Sequence, residues 1–270
     1  MEPIFHHRTQ LQLETFLKKP SHAVILTGAE GSGKLFTAQW LADQLETPCI
    51  VIESAEGAST ITIDQMRALY SLTRSGNSLV VVIKDAQELS TEAQNAFLKL
   101  LEEPPQNTRF VLTARSSESL LNTIRSRAQR IEIIPPQKEQ LGSAVSLGNI
   151  TEALFSTTHG LAGSFISLSN DPEALKNHQE SVDSAKKFYT SSVYERHILC
   201  IENKYEKKWI QQLLHFLAII TQSLIKQSAS NATVQARLIK QVELLEETSR
   251  AVLDINGNPK IHLTKICQEF

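Results

Sequence analysis

Cysteine is scarce in this chain: its 270 residues contain three, Cys49, Cys200 and Cys267. No two of them stand at a C-x-x-C spacing, so the pattern offers neither a paired zinc site nor a disulfide framework and suits a reducing cytoplasm. An excess of one charge is lacking too. Lys and Arg number 27 against 29 Asp and Glu, a formal net charge of -2. That balance leaves no global electrostatic footprint for nucleic acid, and any DNA contact must be local. No apolar run approaches the roughly 18 residues that a membrane span needs, and the first residues are polar, with His6, His7 and Arg8, so a soluble, untargeted protein is expected. Repeats and low-complexity tracts are also missing. His6, His7 and His22 have no third ligand at a useful spacing, and exposed or satisfied histidines are expected rather than a metal centre.

What the chain has is alternation. Short apolar runs at 23–26, 50–52, 79–83, 110–112 and 131–134 are separated by amphipathic stretches at 34–45, 63–73 and 91–101 and a short turn near 123–127. This pattern predicts an α/β unit with a five-stranded parallel sheet covered by helices. Pro135-Pro136 ends the last strand, because neither residue donates a ladder hydrogen bond. Short helical patterns follow, punctuated by Gly160 and Gly163, and the polar stretch 169–180 with Asn170-Asp171-Pro172 reads as a linker. Ile210, Leu213, Leu214, Leu217, Ile220 and Leu224 then recur at helical spacing. Val234, Leu238, Val242 and Leu245 form a second stripe, so the C-terminal third is all-α. The expected division is 1–136, 137–176 and 177–270.

Gly28-Ala29-Glu30-Gly31-Ser32-Gly33-Lys34 follows an apolar strand and opens a helical pattern, the context in which a G-x-x-x-x-G-K match is credible. Gly28, Gly31 and Gly33 would let backbone N–H groups close around phosphate oxygens at a helix N-terminus. Lys34 would set a positive charge near the β and γ phosphates. The next position should carry a hydroxyl for Mg2+, yet it is Leu35, which compromises metal placement. The run 79–85 has the form of a strand ending in an acid, with Asp85 the candidate to hold Mg2+ through water. The Glu that would follow it to activate water is replaced by Ala86. Glu88 lies past the strand end, at a different distance and direction.

The stretch Asn95-Ala96-Phe97-Leu98-Lys99-Leu100-Leu101-Glu102-Glu103-Pro104-Pro105 resembles the N-A-L-L-K-x-L-E-E-P-P segment of the bacterial clamp-loader family. Ser21-His22-Ala23, Ile63-Asp64-Gln65-Met66-Arg67 and Ile124-Arg125-Ser126-Arg127 resemble other landmarks of that family in the same order. Asn256-Gly257-Asn258-Pro259 through Leu263 is similar to the ending of its collar domain. The resemblance implies a RecA-like AAA+ P-loop domain at 1–136, a small helical lid at 137–176 and an α-helical collar for oligomerisation at 177–270.

Missing groups at Leu35 and Ala86 make the chain resemble the stator-type member of the family rather than its motors. Ala114 in place of a polar sensor, and the arginine-free segment 160–163, point the same way. Such a subunit is implied to hold ATP or ADP weakly or without hydrolysis, with intrinsic ATPase absent or weak. It would work inside the DNA polymerase III holoenzyme, with gamma/tau ATPase and delta subunits as partners, the sliding β clamp within the assembly, and primer–template DNA reached through the complex. No membrane partner is implied. Many relatives carry a four-cysteine zinc module after the second strand; residues 53–62 contain no cysteine, so no zinc is expected. Arg127, in Ser126-Arg127-Ala128, is implied to project into the neighbouring ATP site as an arginine finger. Two alternatives stay open: an ATP-hydrolysing motor subunit using Lys34, Asp85 and Glu88, and an unrelated P-loop switch or adaptor.

Overall fold

The computed structural model describes residues 3–55, 57–73, 76–144, 150–228, 231–253 and 259–270. Asn256, Gly257 and Asn258 of the collar-like ending lie outside the described residues. The chain forms two compact units, Met1–Ser169 and Asn170–Phe270.

The first unit is built on a sheet of strands β1 (Ala23–Thr27), β2 (Cys49–Ile52), β3 (Leu79–Ile83), β4 (Thr108–Ala114) and β5 (Gln129–Glu132). Their spatial order is β2-β3-β4-β1-β5 and every pairing is parallel. Central strands β1 and β3 are apolar and buried almost throughout, as strands covered on both faces must be. Their period of two sends alternate side chains to opposite layers. Ala23, Ile25, Val81, Ile83, Phe110 and Leu112 pack with Phe97, Leu100 and Met66 on one side. Val24, Leu26, Val80, Val82 and Val111 pack with Leu13, Phe16 and Leu41 on the other.

Helices α1 (His7–Lys18), α2 (Lys34–Gln44), α3 (Ile63–Thr73), α4 (Thr91–Glu102) and α5 (Asn122–Arg125) supply those layers. α6 (Lys138–Ala144), α7 (Ile150–Thr157) and α8 (Ala162–Asn170) follow the sheet. α1 lies ahead of the alternating runs that begin at residue 23. Its first turn is polar, but Thr9, Leu13 and Phe16 bury one stripe, and the His6 imidazole accepts the Arg8 N–H at 3.2 Å as a cap. This helix also explains why β5 starts and stops two residues earlier than its apolar run. Ile133 N–H still reaches Thr27 O at 2.7 Å, whereas Ile134 N–H turns to Thr9 Oγ1 at 3.1 Å.

The described elements of the second unit are all helices: α9 (Pro172–Thr190), α10 (Val193–Glu202), α11 (Lys207–Gln227), α12 (Ala232–Leu253) and α13 (Pro259–Glu269). The linker expected over 169–180 is a helix start. Asp171 accepts the N–H groups of Glu173 and Ala174 at 3.0 and 2.9 Å, and Pro172 occupies the first turn, where its missing N–H costs nothing. Asp-Pro is both loop punctuation and a helix-opening signal, and here the second use prevails. The α11 stripe is buried at Ile210, Leu213, Leu214 and Leu217. On α12 the buried line runs through Leu238, Gln241, Leu244, Leu245, Thr248 and Val252, while Val234 is exposed.

Candidate phosphate-binding site

Strand register assembles this site. Thr27 lies beside Ala114 and Ile83 beside Leu112, so the carboxyl ends of β1, β4 and β3 release the Gly28–Lys34 segment, Arg115 and Asp85 at one end of the sheet. Gly31 and Gly33 turn the loop with φ of 78° and 88°, a region that side-chain-bearing residues enter only under strain. Gly33 caps α2 without a side-chain hydrogen bond, leaving the first N–H groups of that helix directed into the loop. Lys34 is 8% exposed, and its ammonium donates to Gly28 O at 2.9 Å and Ala29 O at 2.7 Å. Burial pulls its pKa below the ordinary lysine value. The nearby carboxylates of Asp85 and Glu30 oppose that shift, and Arg115 adds to it.

The groups that metal and water chemistry require have other employment. Leu35 is half-buried and packs into the apolar layer around Phe16 and Leu41. Asp85 takes a left-handed backbone with φ of 49°; its N–H donates to Thr113 Oγ1 at 2.9 Å and its carboxylate accepts from Gln87 at 3.1 Å. Ala86 is fully buried. The Glu88 carboxylate accepts the Ser54 hydroxyl at 2.9 Å. A carboxylate at Asp85 with no hydroxyl at position 35 is a poor donor set for Mg2+. The loop itself fits a phosphate: it joins an uncapped helix start, a buried ammonium and the Ser32 hydroxyl, which is buried with no hydrogen-bond partner among the described residues.

α8 roofs the loop. Ser164 N–H donates to Gly31 O at 2.9 Å. A Cβ on Gly163 would lie 2.7 Å from Gly31 O and 2.8 Å from Gly33 N, so only glycine allows this approach. Between α8, α2 and the segment before α1 lies an apolar cleft of about 210 Å3 walled by Phe5, Phe36, Ala162 and Ile166, with Ser32 and Gly33 at its phosphate-loop end. An exposed ion pair of Arg115 and Glu30 at 2.8 Å bridges β4 and the loop.

Gly28, Gly31, Gly33, Lys34, Leu35 and Asp85 are thus gathered at the carboxyl end of the sheet. Arg127 is bonded elsewhere. Its guanidinium donates to Thr123 O at 2.9 Å, Ser126 Oγ at 3.3 Å and Glu102 Oε1 at 2.9 Å, none of them in the phosphate loop. Three contributors escaped the sequence reading: Thr113, Gly163 with Ser164, and Glu102. Thr113 had a detectable signal, a polar residue at the end of an apolar central strand. The other two act across 25 or more positions, which no local pattern carries.

Residues 46–137 match the family model described as DNA polymerase III, delta subunit. The DNA polymerase III subunit delta' of Escherichia coli K12 is 40% identical over 88 residues, 31% of this chain and 26% of that protein. The gamma subunit of Buchnera aphidicola from Schizaphis graminum is 30% identical over 142 residues, 43% of this chain and 39% of its own length. The match therefore spans about a quarter of the first relative and well under half of the second. Among solved structures, a DNA polymerase III gamma subunit-related protein from Thermotoga maritima superposes with a TM-score of 0.64. That likeness covers 97% of both chains at 22% identity and extends the fold over both units.

Proposed function

We propose that this chain is a member of the bacterial DNA polymerase III clamp-loader family and, within it, a delta'-like stator subunit, one that helps to load the sliding β clamp onto primed DNA without hydrolysing ATP itself. The RecA-like AAA+ fold with a helical C-terminal unit agrees with that place. We assign residues 137–169 to its lid and 170–270 to its collar, because the boundary expected at 176/177 falls inside α9. One observation carries the reading: at the two positions where turnover needs an oxygen, Leu35 is packed into the apolar layer and Ala86 is fully buried. Neither side chain can ligate a metal or accept a proton, and Glu88 is already bonded to Ser54.

The phosphate loop retains what binding requires. ATP or ADP would sit with its phosphates over Gly31, Gly33 and Lys34 and its base in the apolar cleft beside Phe36, with Lys34 exchanging two carbonyls for phosphate oxygens. Turnover belongs to the neighbour, to which Arg127 would lend a guanidinium against the charge developing on the transferred phosphate. Gamma/tau ATPase and delta subunits are the partners of this reading, and primer–template DNA is reached through the assembly.

Reconstitution of the chain with those subunits tests it. Arg127→Ala should lower ATP hydrolysis at the adjacent subunit by roughly a hundredfold or more, while Lys34→Ala in this chain should leave that hydrolysis intact. Steady hydrolysis by the purified chain, lost on Lys34→Ala, would show a motor and overturn the stator.

A further inference from the structure

The guanidinium of Arg127 is fixed by its own subunit before any neighbour is considered. Two of its bonds close locally, Nη1 to Thr123 O and to Ser126 Oγ, and wrap the side chain over the end of α5. The third comes from a separate element: Glu102, the last residue of α4, accepts from Nη2 at 2.9 Å. Glu102 is itself well anchored. Leu100 and Leu101 before it are buried in the core, Glu103 N–H closes the helix on Lys99 O at 3.0 Å, and Pro104-Pro105 forbids any continuation. The backbone of Glu102 is therefore held at a constant place relative to the sheet, and the ion pair ties the guanidinium to it.

We propose that Glu102 is a positioning residue for Arg127, holding the guanidinium by one edge so that its remaining N–H groups are presented to the phosphates of the adjacent subunit. The inference rests on the finger role given to Arg127 above. A guanidinium has five N–H donors. Nη1 is engaged by Thr123 O and Ser126 Oγ and Nη2 by Glu102, which leaves Nε–H and the second Nη2–H without an acceptor among the described residues. Two donors suit two phosphate oxygens. The arginine side chain is about one-third exposed and the glutamate half exposed, so the ion pair sits where water competes with it. Such a pair contributes little to folding. Its value lies in removing rotamers from a long side chain before the neighbour docks.

The test uses rings in which only the ATPase subunit next to this chain is competent to hydrolyse, followed by single-turnover hydrolysis of ATP. Glu102→Ala should lower the rate constant by about three- to fivefold, the upper part of the range of an exposed ion pair, with the ATP concentration at half-saturation unchanged. Glu102→Gln, which keeps an acceptor oxygen, should recover part of the loss. The double variant with Arg127→Ala should be no slower than Arg127→Ala alone, because a positioning residue has nothing left to position. An additive double variant would mark a merely structural role and overturn the proposal, as would an unchanged or faster rate in Glu102→Ala beside a slow Arg127→Ala. If Arg127→Ala itself leaves hydrolysis unchanged, the finger reading falls and takes Glu102 with it.

Discussion

Among the described residues each unit buries one long cationic side chain against backbone carbonyls, and the two cases differ in what surrounds the carbonyls. In the first, the Lys34 ammonium sits on Gly28 O and Ala29 O, in a glycine-turned loop at the mouth of the sheet. In the second, Arg196 is 7% exposed and donates to Phe188 O at 2.9 Å, Cys267 O at 3.2 Å and Tyr189 O at 3.2 Å, tying the end of α9 to α10 and α13. Burial depresses the pKa of both groups. The arginine's acceptors lie at or near helix ends in a packed core beside Cys200 and Cys267, and the fork geometry of a guanidinium satisfies three at once. The lysine's acceptors border the cleft and can be exchanged for those of a ligand. The same chemistry staples in one unit and waits in the other.

The largest effect should come from breaking the staple. Arg196→Ala strands two buried carbonyls and a part-buried one and leaves a void, and should cost the second unit about 3 kcal/mol; urea unfolding followed by helical circular dichroism measures it. A loss below about 1 kcal/mol would mean that water reaches those carbonyls as readily as at the loop, and the contrast would collapse.

Next is the roof. Gly163→Ala puts a methyl 2.7 Å from Gly31 O, so α8 must rise from the loop at a cost of about 1–2 kcal/mol. Hydrogen exchange at Ser164 should accelerate, because its bond to Gly31 O breaks; unchanged exchange would show that the helix yields without lifting.

Lys34→Met should change stability at neutral pH by no more than about 1 kcal/mol while removing binding of a fluorescent ATP analogue. The pH dependence gives a sharper reading. With its folded pKa below 10.5, Lys34 costs stability wherever it is charged in both states. Between the folded pKa and 10.5 the unfolded chain binds the extra proton, so stability rises with pH relative to the Met variant and the cost is gone above 10.5. A difference between the two proteins that stays flat through that window would contradict a desolvated ammonium.

The smallest effect belongs to the exposed pair beside the loop. Glu30→Gln breaks its contact with Arg115, whose side chains are 82% and 66% exposed, and should shift the unfolding midpoint by an amount equivalent to less than about 0.5 kcal/mol. A larger loss would move this pair into the same class as the buried cations.

Much of the first unit was legible because its information is local. The apolar runs of β1 and β3 must be buried on both faces, and a G-x-x-x-x-G-K turn between strand and helix has one geometry that relieves its glycines. Leu35 and Ala86 were legible for the same reason, since a missing oxygen is missing in any fold. α1 was hidden by a polar first turn whose apolar stripe begins later. The start of α9 was hidden by Asp171-Pro172, two residues that serve loops and helix caps equally.

The sequence by itself determined which chemistry this chain retains and which it has lost: an ammonium and an anion-binding turn remain, and the metal and water groups are absent. Tertiary structure alone decided how the retained groups are held. The bonds from Lys34 to loop carbonyls, the seat of Gly163 on Gly31, the grip of Glu102 on Arg127 and the staple at Arg196 depend on backbone carbonyls and on residues far apart in the chain. Every residue carries a carbonyl, so no side-chain pattern can announce which ones a buried cation will find.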